Sequence, residues 1–380
     1  MSDSYNNPFI DLPASLLEDA LAVTQDVSHL LLSDIENLTS QRTSFREELE
    51  TTGMILRESD LGVPIAPTTC GTDGSYAIER MLTVDMAIAA TVAVEGLAPP
   101  RETRFWQEPR HSIFIAAEPH SEDTPTILRA VMLGRELCLA VSAPHDLVLL
   151  DMTLTLPIIY FNQAINVMAG STLKCGAEFA EHADEYLAAY ADILTSTRSD
   201  HYFAGFPKYS TRREICDFLG WSGPYDDRGL LSLVLRAGEL TKPTPITQPD
   251  QAWHLSASKL KRPHVVASSI ARILDGLTRV HVFYYRPQSW LPAMRIEISG
   301  AVANNEARLA TVVQGVKMQC STAAMLEPYP LYLADRTVKA AARSLPALRH
   351  ISTQRLASQY SGNLGDVFLA MHGYRSESGA

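Results

Sequence analysis

Thr72-Asp73-Gly74-Ser75-Tyr76 stands between Ile65-Ala66-Pro67 and a long apolar run over residues 81–94. An acid followed at once by Gly and Ser, after one expected strand over 63–69 and before another over 81–94, reads as a carboxylate on the rim of a sheet. On that reading Asp73 is a candidate metal ligand. What matters next is which other acids the chain brings to it.

Downstream, Ser112-Ile113-Phe114-Ile115-Ala116-Ala117 is a further strand, with Pro99-Pro100 and residues 118–123 as connections. Residues 123–142 turn helical, with Ile127, Val131, Leu133, Leu137 and Val141 at helical spacing and Glu136 among them. Pro144 and His145 end that helix. Leu147-Val148-Leu149-Leu150 follows as a short, wholly apolar strand finishing at Asp151, a pattern that suits a strand covered on both faces of an α/β layer fold. Helices are expected over 177–196, 211–219, 226–237, 305–320 and 331–343. Strands are expected over 201–206, which delivers Pro207-Lys208, over 280–285 and over 294–299. Residues 248–263 are the least patterned and hold Lys259, Lys261 and Arg262. Upstream, residues 13–51 carry Leu16, Leu17, Leu21, Val27, Leu30, Leu31 and Ile35 at helical spacing. Ser15 and Glu18 there stand in capping-box register, so one or two amphipathic helices precede the first strand.

The bulk numbers bound the answer. The chain has 380 residues, 46% hydrophobic and 20% charged, enough to bury a sizeable core. A net charge of −11 argues against a generally basic nucleic-acid binder but not against a local basic channel, or against acids gathered around divalent cations. Five dispersed cysteines show neither CxxC nor Cys/His spacing, which gives no structural zinc site or disulfide framework and fits a reducing cytoplasm. Met1-Ser2-Asp3-Ser4 is polar and acidic, no apolar run is long enough to span a bilayer, and no internal repeat is visible. The expectation is one soluble, cytoplasmic α/β domain with helical additions.

Asp73, Glu136 and Asp151 form the first chemical constellation. Alone, each acid reads as a turn or cap residue; strand-end positions for Asp73 and Asp151, with Glu136 on the helix between, favour convergence at one sheet edge. Three such carboxylates bind Mg²⁺ or Mn²⁺ as hard oxygen ligands, and a two-metal arrangement polarises a phosphodiester and activates water. Lys208 either contacts the scissile phosphate or is a solvated loop lysine. Lys259, Lys261 and Arg262 either grip a DNA backbone or are a solvated cluster. Arg295 and Glu297 alternate on one strand face and read as a surface pair, and Asp227 with Arg228 reads as a helix-start acid and its ion-pair neighbour. GxxxxGK[ST], GxSxG, HExxH and GxGxxG are all missing, so ATP dependence would have to come from a partner.

Several stretches in order resemble the NurA nucleases. They are Asp73-Gly74-Ser75, Arg135-Glu136-Leu137-Cys138, Asp146-Leu147-Val148-Leu149-Leu150-Asp151, Ala204-Gly205-Phe206-Pro207-Lys208, Asp227-Arg228-Gly229-Leu230-Leu231, Gly238-Glu239-Leu240-Thr241, Arg295-Ile296-Glu297, and Pro328-Tyr329-Pro330-Leu331 with Ala334-Asp335. No one motif is specific; their order over about residues 70–340 is. The resemblance implies an RNase H-like mixed sheet flanked by helices, with helical N-terminal and insert segments. It implies a helical segment over 1–60, a nuclease domain over 61–345 and an extension over 346–380. It further implies Mn²⁺- or Mg²⁺-dependent cutting of DNA by a homodimer that works with the hexameric ATPase HerA, in end processing or antiviral defence. Asp73, Glu136, Asp151 and Asp335 would hold the metal, with Lys208 assisting. Two positions depart from the family: Asp151 is followed by Met152-Thr153 instead of Gly-Ser, and Asp335 stands where the family has a histidine. Those departures leave a second reading open, a NurA-like dimer without catalysis that serves as adaptor or regulator of the ATPase.

Overall fold

The computed structural model describes residues 9–10, 12–97, 104–168 and 170–379, so the Pro99-Pro100 connection lies outside the described residues. The chain divides into two compact units, Met1–Met54 and Ile55–Ala380. Among the described residues the first holds one helix, α1 (Ala14–Thr51), which starts after Pro13 with no side-chain cap. Ser15 is inside the helix, so the expected capping box does not form. No Pro or Gly interrupts 14–51, and the helix runs unbroken to Gly53, whose φ of 64° is the left-handed conformation that ends helices.

The second unit is built on a mixed sheet. Its strands are β1 (Ile55–Arg57), β2 (Thr69–Met81), β3 (Asp85–Glu95), β4 (Arg110–Glu118), β5 (Leu147–Leu150), β6 (Tyr202–Gly205), β7 (Glu239–Thr241), β8 (Thr244–Pro245), β9 (His281–Arg286), β10 (Met294–Ile298) and β11 (Gly373–Gly379). The order is β1-β7-β9-β10-β6-β5-β2-β3-β4, with β11 also on β2 and β8 on β9. β2, β3 and β4 form an antiparallel meander; β5 runs parallel to β2, and β6 parallel to β5. A three-strand meander continued by two parallel strands is the RNase H-like arrangement expected from the resemblance. The helices are α2 (Thr124–Ser142), α3 (Leu156–Val167), α4 (Lys174–Thr195), α5 (Glu214–Phe218), α6 (Asp227–Val234), α7 (Pro263–Leu277), α8 (Gly300–Ala303), α9 (Glu306–Gln319), α10 (Tyr329–Arg343), α11 (Leu345–Gln359) and α12 (Leu364–Ala370).

One sequence expectation is corrected at the centre of the sheet. The strand expected over 81–94 is present as β3, starting four residues later, but the one expected over 63–69 gives way to β2, and Asp73 lies inside β2 with 5% of its surface exposed, not on a rim. Asp-Gly-Ser is turn chemistry by local preference, but β3 pairs with β2 from Cys70↔Glu95 to Arg80↔Asp85. That ladder overrides the local preference.

β5 is apolar throughout because both its faces are covered. Leu147 and Leu149 belong to one core cluster with Phe283 and Tyr285 of β9, Ile296 and Ile298 of β10, and Val312, Val313 and Val316 of α9. On the sheet face opposite α10, α2 packs on β2 and β3 and in turn against α3 and α4. A Cβ on Gly134 would stand 2.2 Å from the Tyr186 ring, so glycine is what lets α2 and α4 approach.

Candidate metal centre

The site is a gap in the sheet. β3 occupies one edge of β2 along its length, while the other edge is shared: β5 pairs with Thr69 to Thr72, and β11 pairs with Tyr76 to Met81. Asp73, Gly74 and Ser75 fall between, and among the described residues they have no strand partner on that edge. β5 ends opposite Thr72, and the next residue, Asp151, donates its backbone N–H to the Thr72 carbonyl at 3.2 Å. Asp151 is thereby brought beside Asp73.

Alternation along β2 sends Gly71, Asp73 and Ser75 to one face and Thr72 and Gly74 to the other. On the first face α10 comes close: a Cβ on Gly71 would lie 2.7 Å from the Pro330 carbonyl carbon and 2.8 Å from the Leu331 nitrogen. This close approach positions Asp335, on the second turn of α10. On the second face Glu136 of α2 accepts a hydrogen bond from the Thr72 hydroxyl at 3.2 Å and lies 3.2 Å from where a Gly74 Cβ would be.

Oxygens of Asp73, Asp151 and Asp335 lie within 4.8 Å of one another. Glu136, expected in the first constellation, is not in this set and stands behind it; Asp335 takes the third place. Asp73 Oδ1 accepts the Gly74 N–H at 2.7 Å, while its Oδ2 is buried with no hydrogen-bond partner. Two other buried acids are satisfied: Glu118 accepts from the Lys174 and Cys175 N–H groups, and Asp227 from those of Ile215 and Cys216. A buried carboxylate oxygen left bare costs free energy unless something else meets it. Oxygen ligands around an octahedral Mg²⁺-sized ion at about 2.1 Å stand roughly 3 to 4 Å apart, so a small contraction of these three would enclose one. The donor set fits a hard divalent cation.

Electrostatics agree with the geometry. Burial raises the Asp73 pKa well above the carboxylate range, and the Asp151 and Glu136 charges raise it further. Glu136 is pushed up to about 8 by burial and then by Asp151. Burial also raises Asp151, to about 6, although Lys208 opposes the rise. Lys208 Nζ is 2.6 Å from Asp151 Oδ2, 3.0 Å from Glu327 Oε2 and 3.2 Å from Asp335 Oδ1. Burial disfavours that ammonium, but Asp151 and Glu327 outweigh it and hold the Lys208 pKa above the usual lysine range. Burial would raise Asp335 as well; hydrogen bonds from Lys339, at 2.6 Å, and Lys208 keep it below the usual value instead. Glu327 and Lys339 were not singled out in the sequence. The first is an acid before Pro328, the second is four residues beyond Asp335, and neither position carries a signal without α10 in place.

Arg295 and Glu297 are corrected from a surface pair to a buried one. Arg295 binds Glu214 through both terminal nitrogens, at 2.7 and 2.9 Å, and Glu297 at 3.0 Å. Glu297 in turn accepts from the Thr153 hydroxyl and the Leu154 N–H at 2.7 and 2.8 Å, which fixes the turn after Asp151. Their alternation was legible; the burial comes from α5, which supplies Glu214. Asp227 satisfies the first N–H groups of α5 instead of pairing with Arg228, whose guanidinium donates to the Lys208 carbonyl. Lys259 donates to Asn166, Lys261 pairs with Glu181 and Arg262 with Asp184, so the basic cluster lies against α3 and α4.

No family model matches the chain, and no curated protein does. Solved structures do. The NurA nuclease from Sulfolobus solfataricus superposes with a TM-score of 0.57 at 13% identity, over 89% of this chain and 98% of that one. The chain has the NurA nuclease fold. A NurA structure with manganese (TM-score 0.54, 12% identity, 89% and 99% coverage) and a further NurA structure (0.55, 12%, 90% and 99%) share it. At such identity the NurA likeness is one of fold, and the site rests on the residues described above. Among the described residues no helix is long and apolar enough to cross a membrane.

Proposed function

We propose that the chain is a metal-dependent nuclease of the NurA type that hydrolyses phosphodiester bonds of DNA. The observation that carries this is a buried Asp73 with a bare Oδ2, in a gap of the sheet where its carboxylate comes within 4.8 Å of those of Asp151 and Asp335. A NurA structure of the same fold contains manganese, which favours Mn²⁺ or Mg²⁺ here. When bound, a divalent ion supplies Lewis acidity toward a phosphoryl oxygen and lowers the pKa of water. Asp73, Asp151 and Asp335 would hold it, while Glu136 adds negative charge behind them. The Lys208 ammonium, held beside Asp151, Asp335 and Glu327, would stabilise negative charge developing at this centre. By the same reading the protein works as a homodimer fed by a HerA-type hexameric ATPase in DNA end processing or antiviral defence.

Purified protein incubated with linear DNA and Mn²⁺ should release products, and Asp73→Ala should abolish them. Wild-type protein that stays inert with and without the ATPase would overturn the proposal. One observation favours a second reading: Asp151 and Asp335 already have lysine partners, as in a site that needs no metal. Stimulation of the ATPase by a protein that binds no Mn²⁺ would establish that adaptor role.

A further inference from the structure

Lys208 makes the contacts of a bridging metal ion. Its ammonium forms ion pairs with three carboxylates, lying 2.6 Å from Asp151 Oδ2, 3.0 Å from Glu327 Oε2 and 3.2 Å from Asp335 Oδ1, to which it donates a hydrogen bond. Two of those acids belong to the candidate triad. We infer that Lys208 is the built-in second cation of this centre. The site then takes one divalent ion, on the Asp73 side, and the ammonium fills the place where a second ion would bind. The inference rests on the metal-dependent reading of the same site, and it replaces the two-ion arrangement that the sequence alone led to.

Three features carry it. Each triad acid commits one oxygen to a protein donor: Asp73 Oδ1 to Gly74, Asp151 Oδ2 to Lys208, Asp335 Oδ1 to Lys208 and Lys339. Asp73 Oδ2 has no hydrogen-bond partner, and Asp151 Oδ1 and Asp335 Oδ2 are the oxygens not engaged in the contacts just named, which leaves one ligand set for one ion. The charges also fit a single ion. Five carboxylates, Asp73, Glu136, Asp151, Glu327 and Asp335, face the two ammonium groups of Lys208 and Lys339, and one divalent cation removes most of the excess. Lastly, Lys208 is anchored from behind: Arg228 donates to its carbonyl, and the Phe206 N–H holds the preceding turn to the Leu150 carbonyl at 2.8 Å. A compact ammonium suits a spot between three oxygens, where a planar guanidinium would not.

Mn²⁺ binding to the full chain tests this without reference to activity. Calorimetric titration should give about one Mn²⁺ per chain for the wild type, about two for Lys208→Met, and an affinity at least about 100-fold weaker for Asp73→Asn. Saturated with Mn²⁺ and then freed of unbound ion by gel filtration, the wild type should show the electron paramagnetic resonance spectrum of an isolated ion. That measurement needs no variant, so a Lys208→Met protein that fails to fold does not leave the inference open. Two ions in the wild type, seen as a spin-coupled pair, would overturn it, and so would a folded Lys208→Met protein that still takes one. A wild type that binds no Mn²⁺ would instead remove the metal-dependent reading itself.

Discussion

Asp73 is kept in a position that costs stability. It is 5% exposed, one of its oxygens is bare, and Asp151 and Glu136 repel its charge. Asp73→Asn keeps the shape and removes the charge, so the metal-free variant should melt higher than the wild type, by roughly 1–2 kcal/mol of stability, while Mn²⁺ no longer raises its melting temperature. Scanning calorimetry with and without Mn²⁺ measures both; a variant destabilised without metal would show that Asp73 is structural. At this scale the sequence is informative about identity more than about company. Asp73, Glu136 and Asp151 are legible as acids beside strands, and Lys208 as a lysine after an apolar strand. Asp335 is reached only through the order of the family-like motifs, and the Glu327 partnership depends on α10, which no local pattern brings to the site.

Two elements hold the acids in register. The first contact is between β2 and the start of α10, where Gly71 faces backbone atoms of Pro330 and Leu331 that have no room to give. Gly71→Ala should therefore cost about 1–3 kcal/mol through overpacking and weaken Mn²⁺ binding by displacing Asp335. At Gly74 the obstructing atom is the flexible Met132 side chain, so Gly74→Ala should cost less in a urea titration. The second is the turn after β5, tied to β10 through Glu297. Glu297→Gln leaves Arg295 short of a charge partner in a buried site, which should cost about 3 kcal/mol. A loss below 1 kcal/mol in urea unfolding would show that Glu214 alone satisfies Arg295. β5, β6, β9, β10, α2, α4, α9 and α10 were legible because their apolar periodicity is local. β2 was misread because its Asp-Gly-Ser mimics a turn, and β11, which frames the other side of the gap, has too few apolar residues to mark it as a strand.

For the whole molecule the clustered acids set a pH dependence. Burial and mutual repulsion push Glu136 up to about 8 and Asp151 up to about 6, against ordinary values of 4.5 and 3.8. Between those limits the folded protein binds more protons than the unfolded chain. This contribution to metal-free stability is therefore fully present below the ordinary carboxylate range and is lost as pH rises through about 8. The loss should amount to a few kcal/mol, and Mn²⁺ should offset it, raising the melting temperature more at about pH 8.5 than at about pH 5.5. Equal shifts at the two pH values would mean that the ion binds elsewhere. The most direct test of the central claim is a crystal soaked in Mn²⁺ and measured at the manganese absorption edge. An anomalous peak against Asp73 Oδ2 and Asp151, removed by chelation, is the predicted result. A fully soaked crystal with no peak in the gap between β5 and β11 would contradict the account.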